Sequence, residues 1–128
     1  MDKPARVISI VDDDPSVRRA LNRLVGSAGY LVETFASAGD FLGSSVSTRT
    51  ACLVLDIYLE GMTGFELQDK LEADRLAIPI IFMTAHDDPA TRERIARSGA
   101  AGYLGKPFDG QALLDAILQA AGPAVGAA

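Results

Sequence analysis

Cysteine is nearly absent from this chain. The single one, Cys52, lies inside an apolar run, so no internal disulfide can form, which suits a reducing compartment. Basic runs are missing as well. Twelve Lys and Arg are scattered among 17 Asp and Glu, and the formal charge is −5. Affinity for nucleic acid comes largely from basic contacts to phosphates, so direct nucleic-acid binding by this segment is not expected. No run approaches the ~18 apolar residues of a membrane span. The start, Met1-Asp2-Lys3-Pro4, has no apolar stretch of the signal-peptide kind, and a cytoplasmic chain without membrane association is expected. Histidine occurs once, at His86, without Cys or His neighbours. That is poor material for a metal site, and a solvated loop residue is expected there.

The remainder is the balance of a globular domain: 128 residues, 48% hydrophobic and 23% charged. This length builds one hydrophobic core and not two. Short apolar runs alternate with amphipathic stretches. The runs are Val7 to Val11, Leu31 to Phe35, Ala51 to Leu55, Ile78 to Met83 and Ala101 to Leu104. Those near positions 7, 51 and 78 are almost wholly apolar, as strands buried on both faces of a parallel sheet are, whereas Leu31-Val32-Glu33-Thr34-Phe35 alternates and suits an edge.

Helical patterns fill the intervals. Pro15 stands at a first helical turn behind Asp14 as N-cap, with Val17, Leu21, Leu24 and Val25 at helical spacing and Gly29 as the stop. A short second helix is weakly signalled around Ala38 to Leu42. Phe65, Leu67 and Leu71 mark the third, Asp87-Asp88-Pro89 opens a fourth that ends at Gly99, and Asp109 caps a fifth carrying Leu113, Leu114, Ile117 and Leu118. Five strand–helix alternations predict an α/β fold: a doubly wound, flavodoxin-like, five-stranded parallel sheet of order 2-1-3-4-5 with helices on both faces. Residues 1–121 are read as one domain and 122–128 as a flexible tail or the start of a linker.

In such folds the chemistry sits beyond the carboxyl ends of the strands, at the topological switch point. Strand one ends in Asp12-Asp13-Asp14, strand three in Asp56, strand four in Thr84, and strand five leads to Lys106-Pro107. Singly, each residue has an ordinary explanation: an Asp caps a helix, a Thr forms a turn, a Lys is solvated. Together, at the ends of adjacent strands, they converge on one crevice. Carboxylates packed there repel each other, and a hard divalent cation with oxygen ligands, Mg²⁺, relieves that repulsion. Asp56 then becomes a nucleophile for phosphoryl transfer, with Lys106 and Thr84 stabilising charge on the transferred group.

The segments Val11-Asp12-Asp13-Asp14-Pro15, Leu55-Asp56 through Gly64, Met83-Thr84-Ala85 and Tyr103-Leu104-Gly105-Lys106-Pro107-Phe108 resemble the signature of response-regulator receiver domains of bacterial two-component systems. The similarity runs from about Arg6 to about Ala121. It implies that Asp12 and Asp13 are a metal-binding acidic pair and Asp56 the phospho-acceptor. Asp56 and the backbone carbonyl of Tyr58 join the acidic pair as metal ligands. Thr84 and Lys106 become phosphate-contacting groups, and Tyr103 the aromatic that changes rotamer with Thr84. The resemblance further implies a cis Lys106-Pro107 bond, a sensor histidine kinase as phospho-donor, and a phosphorylation-dependent homodimer through the fourth helix, fifth strand and fifth helix. Such a domain is a signalling switch rather than an enzyme, with self-catalysed phosphoryl transfer and dephosphorylation. After the acceptor the family commonly has Met-Pro where this chain has Leu59-Glu60. The loop loses a stiffener, and Glu60 is expected to face solvent.

An alternative is a haloacid-dehalogenase-like phosphatase, because Asp12 and Asp14 have the Asp-x-Asp spacing of its nucleophile motif. The late acidic motif and cap segment of such enzymes are not seen. A nucleotide-binding module of the same fold would need a Gly/Ser/Thr phosphate loop where Asp12-Asp13-Asp14 stands.

Overall fold

The computed structural model describes residues 6–85 and 88–124. His86 and Asp87, singled out above, lie outside the described residues. The chain alternates β1 (Val7–Val11), α1 (Pro15–Ser27), β2 (Leu31–Phe35), α2 (Ala38–Leu42), β3 (Thr50–Asp56), α3 (Gly64–Ala73), β4 (Ile80–Thr84), α4 (Pro89–Ser98), β5 (Gly102–Gly105) and α5 (Gly110–Ala121). The five strands form one parallel sheet in the order β2-β1-β3-β4-β5, the expected topology.

The strand side chains alternate between two cores. On one face Ile8, Ile10, Cys52, Val54, Ile81 and Met83 meet Leu21 and Val25 of α1 and Leu113 and Ile117 of α5. On the other, Val11, Leu53, Leu55 and Phe82 meet Phe41 of α2, Leu67 and Leu71 of α3, and Ile95 of α4. Burying each such side chain contributes roughly 1.5–3 kcal/mol, which anchors the strands whose ends carry the polar groups of the predicted crevice. Strand bounds shift slightly from the apolar runs. Pro79 has no N–H to give a ladder, and β4 begins one residue later, at Ile80.

Every α-helix begins on an acceptor side chain. Asp14, Ser37, Thr63, Asp88 and Asp109 each accept a backbone N–H from the first turn of the helix that follows. The Ser- and Thr-rich stretch after α2 folds into a single 3₁₀ turn, Ser47–Arg49, locked where the Thr50 hydroxyl donates to the Val46 carbonyl at 2.7 Å.

The segment after α5 is tied down at its start. The Arg6 N–H donates to the Ala124 carbonyl at 2.8 Å, Arg6 Nε to the Pro123 carbonyl at 3.0 Å, and the Tyr30 hydroxyl to the Gly122 carbonyl at 2.8 Å. Ala120, Ala121 and Ala124 pack on the α1–α5 core. The composition of this stretch suggested no core-forming role. Its small side chains and free carbonyls nevertheless suit a close approach to β1 and to Tyr30. No helix among the described residues is long and apolar enough to cross a membrane.

Candidate functional site

Register places the chemistry. Val11 is opposite Leu55 across β1 and β3, so Asp12 leaves the sheet beside Asp56; Asp56 is opposite Met83, and Thr84 opposite Gly105. The Lys106 N–H donates to the Thr84 carbonyl at 2.7 Å, which holds the start of the β5–α5 turn against β4. The Lys106-Pro107 bond is cis.

Lys106 Nζ reaches back over the strand ends and donates to Asp12 Oδ2 at 2.8 Å and to Asp56 Oδ2 at 3.0 Å. The remaining carboxylate oxygens also have partners. Asp12 Oδ1 accepts the Asp14 N–H at 2.9 Å, and Asp56 Oδ1 accepts the Tyr58 N–H at 3.2 Å. Asp12, Asp13 and Asp56 each present an oxygen within 4.8 Å of the other two. Asp12 and Asp56 are buried while Asp13 is exposed, so the cluster opens to solvent on the Asp13 side.

Electrostatics pull in two directions. Burial raises the Asp56 carboxyl above the usual carboxylate range, outweighing the hydrogen bond and charge of Lys106 and the Tyr58 N–H, which pull it down; the nearby Asp12 charge pushes the same way as burial. For Lys106, burial alone would lower the ammonium, but its hydrogen bonds and charge interactions with Asp12 and Asp56 more than compensate and raise it. The ammonium lies at hydrogen-bond distance from a carboxylate oxygen of both Asp12 and Asp56, the charge-assisted geometry that favours the ion pair over its neutral form. Three carboxylates and one ammonium leave a formal charge of −2. An all-oxygen donor set with that deficit fits a hard divalent cation.

Thr84 is fully buried at the end of β4. Tyr103, half-buried on β5, is opposite Phe82 and packs on the α2–α3–α4 core. Tyr58 is an exposed residue of the turn after Asp56, and Glu60 is exposed as expected. Asp14 acts as the α1 cap, its Oδ1 accepting the Ser16 N–H at 2.8 Å.

Two contacts near the site escaped the sequence reading. Arg18 Nη1 donates to the Asp12 carbonyl at 2.6 Å. Its signal was a cation in the first turn of a helix, where the macrodipole disfavours it. Gly64 opens α3 pressed against the β3 end: its N–H donates to the Ile57 carbonyl at 2.8 Å, and a Cβ there would meet the Asp56 carbonyl oxygen at 2.9 Å and Ile57 Cα at 3.0 Å. No local pattern announces such an approach.

A doubly wound parallel sheet with an acidic, lysine-bridged crevice at its switch point defines a class of small α/β domains. Comparison with known proteins narrows the class. The family model of the response regulator receiver domain matches residues 8–118. Among curated relatives, nodulation protein W of Bradyrhizobium diazoefficiens is 42% identical over 114 residues, covering 89% of this chain and 50% of that protein. Transcriptional regulatory protein FixJ of Azorhizobium caulinodans is 36% identical over 110 residues, 86% of this chain and 52% of that one. Of solved structures, response regulator StyR superposes with a TM-score of 0.80 at 46% identity, covering 91% of this chain and 59% of that one. Chemotaxis protein CheY4 of Vibrio cholerae superposes with a TM-score of 0.82 at 28% identity, covering 91% and 98%.

The chain belongs to the response regulator receiver domain family, a signalling module of two-component systems. It spans about half the length of the curated relatives it matches. The phosphatase alternative gains no support from these matches.

Proposed function

We propose that this domain takes a phosphoryl group from a sensor histidine kinase onto Asp56, with Mg²⁺ held by Asp12, Asp13, Asp56 and the Tyr58 carbonyl. The observation that carries the reading is the Lys106 ammonium shared by Asp12 and Asp56 within a three-carboxylate cluster. Mg²⁺, when bound, supplies positive charge to the oxygens of the incoming phosphoryl group.

The residues do the rest. Ionised Asp56 needs no general base; one of its oxygens attacks phosphorus, the P–N bond of the donor phosphohistidine breaks, and the imidazole leaves. Lys106 offers its ammonium to the charge that develops, and the Thr84 hydroxyl donates to a phosphoryl oxygen. Thr84 moving towards the phosphoryl group frees room beside β5 for the Tyr103 ring. The α4–β5–α5 face changes with it, and that face pairs two copies of the domain; a population shift of a few kcal/mol is enough. The domain is a stoichiometric switch in the cytoplasm, not a turnover enzyme. We read residues 1–121 as the receiver domain and 122–128 as a tail or the start of a linker.

Wild-type protein given Mg²⁺ and a small acyl-phosphate donor is expected to gain one base-labile phosphoryl group by intact mass, and Asp56→Asn none. Mapping of the label to Asp12 or to a Ser in wild type would overturn the assignment. Continuous release of phosphate from an ester substrate would instead indicate an enzyme.

A further inference from the structure

The Asp12 carbonyl lies where β1 runs out of neighbours. The Asp12 N–H makes the last bond towards β2, to the Phe35 carbonyl at 3.1 Å, and β2 ends at Phe35. From there the chain turns to Ser37, which caps α2. Asp12 is fully buried, and a buried carbonyl at a strand end needs a donor. Arg18 supplies it from the first turn of α1, Nη1 to carbonyl oxygen at 2.6 Å.

Charge makes the choice of residue informative. A helix start is the wrong end of the macrodipole for a cation, and the one acidic side chain at the start of α1, the Asp14 cap, accepts the Ser16 N–H. Arg18 is held from outside its own helix, by the strand end that bears the acidic pair.

The consequence falls on Asp13. The Asp12 carbonyl and the Asp13 N–H belong to one planar peptide unit, so clamping the carbonyl sets the plane from which Asp13 departs. Asp12 is already fixed through its N–H and both carboxylate oxygens. Asp13 is exposed, and the guanidinium acts on the peptide that carries it. We propose that Arg18 is a positioning residue for the acidic crevice: by holding the Asp12 carbonyl it presents Asp13, with Asp12 and Asp56, to a divalent cation. This rests on the metal reading of the crevice given above.

The sign of the effect discriminates. As a charge, Arg18 repels a cation, and removing it would tighten metal binding. As a clamp it orders the ligands, and removing it loosens binding. Mg²⁺ affinity is measured by calorimetric titration on wild type, Arg18→Met and Arg18→Lys, beside thermal melts of the metal-free proteins. Arg18→Met is expected to weaken Mg²⁺ binding by about threefold or more, with Arg18→Lys, which restores a cationic donor, recovering part of the loss. A smaller loss or tighter binding in Arg18→Met overturns the proposal, even if its melting temperature falls, because a purely structural clamp would lower stability alone. Weaker binding in Arg18→Lys than in Arg18→Met also overturns it. Should Arg18→Met fail to fold, Arg18→Gln takes its place with the same threshold. Wild type that binds no Mg²⁺ would sink the metal reading itself, a result distinct from any difference among variants.

Discussion

Lys106→Met tests the electrostatics of the crevice most directly, because it keeps the side-chain stem and removes one charge shared by two carboxylates. The side chains it abandons are 1% exposed at Asp12 and 10% exposed at Asp56, and Lys106 itself is 21% exposed. Removing one partner of a buried pair costs roughly 3–5 kcal/mol. The opening of the crevice towards Asp13 places this site at the low end, about 3 kcal/mol at neutral pH without metal. For a domain of this length that is a fall in melting temperature of roughly 10 °C.

Two dependences separate this loss from one of packing. The first is pH. Lys106 pulls the Asp56 carboxyl down against burial, so in the variant Asp56 is expected to lie further above its unfolded value, with the neutral form favoured in the fold. The penalty is absent below about 3.9, the unfolded value, and grows as pH rises through the folded pKa. Asp56 already leans this way in the wild type, burial being the main cause. The second is Mg²⁺, which stabilises by roughly 2.7 kcal/mol at a hundredfold excess over Kd. The variant should gain more from it than wild type at equal concentration, since the crevice goes from −2 to −3 when the ammonium is removed from the three carboxylates. Unfolding followed by circular dichroism, in chelator and in Mg²⁺, at mildly acid and neutral pH, reads all of this. A variant that melts within about 3 °C of wild type in chelator at neutral pH, less than 1 kcal/mol, would refute the reasoning. So would a Mg²⁺ response no larger than that of wild type.

Gly64→Ala is expected to lower stability by roughly 1–3 kcal/mol, because its Cβ would meet the Asp56 carbonyl, Ile57 Cα and Phe82 Cε1 at 2.9, 3.0 and 3.1 Å. Phosphorylation should slow with it as the Asp56 turn is displaced; urea unfolding and phosphoryl uptake measure the two effects. The Cys52 thiol, fully buried and pushed up to about 12 by burial, should resist thiol reagents at pH 8 until the protein unfolds. Keeping that thiol neutral favours the fold below pH 9.0 and is lost as pH rises towards about 12, a change of up to roughly 4 kcal/mol; rapid labelling of native protein at pH 8 would contradict the burial.

The architecture was legible because each level of the sequence agrees with the next. The apolar runs mark buried strands, the Asp, Ser and Thr residues before the helices cap them, and Gly99 stops α4 in a left-handed turn with φ 79°. The crevice was legible because strand ends are where a doubly wound fold collects its polar groups. Lys106 meets Asp12 across 94 residues, a meeting that the topology predicts and local pattern does not. Two kinds of contact could not be read this way. Arg18 uses its guanidinium on a backbone carbonyl, which leaves no trace in side-chain spacing. The Gly122–Ala124 segment is held through its own carbonyls by Arg6 and Tyr30, so its side chains carry no signal of attachment.

Several departures from local preference in this chain meet at the crevice. Away from the crevice, helix starts have their caps and strand interiors are mostly apolar, with Ser9 buried in β1 against the Thr50 hydroxyl and Arg75 at a left-handed φ of 60° as local departures. At the crevice three rules are broken together. Two carboxylates are buried within 4.8 Å of each other, a cation stands at a helix start, and a helix opens so close to a strand end that a methyl group would not fit. Each departure lowers stability when taken alone. Each is offset by another member of the same group: Lys106 by its two carboxylates, Arg18 by the Asp12 carbonyl, Gly64 by the Ile57 carbonyl. Mutual compensation of this kind ties the departures to a shared function rather than to chance, since a fold selected for stability alone would have removed them one at a time. It also explains why a charge change at the crevice can act beyond it: the groups that balance one another there belong to β1, α1, β3, α3 and the β5–α5 turn, so disturbing one partner shifts the balance for elements on both faces of the sheet.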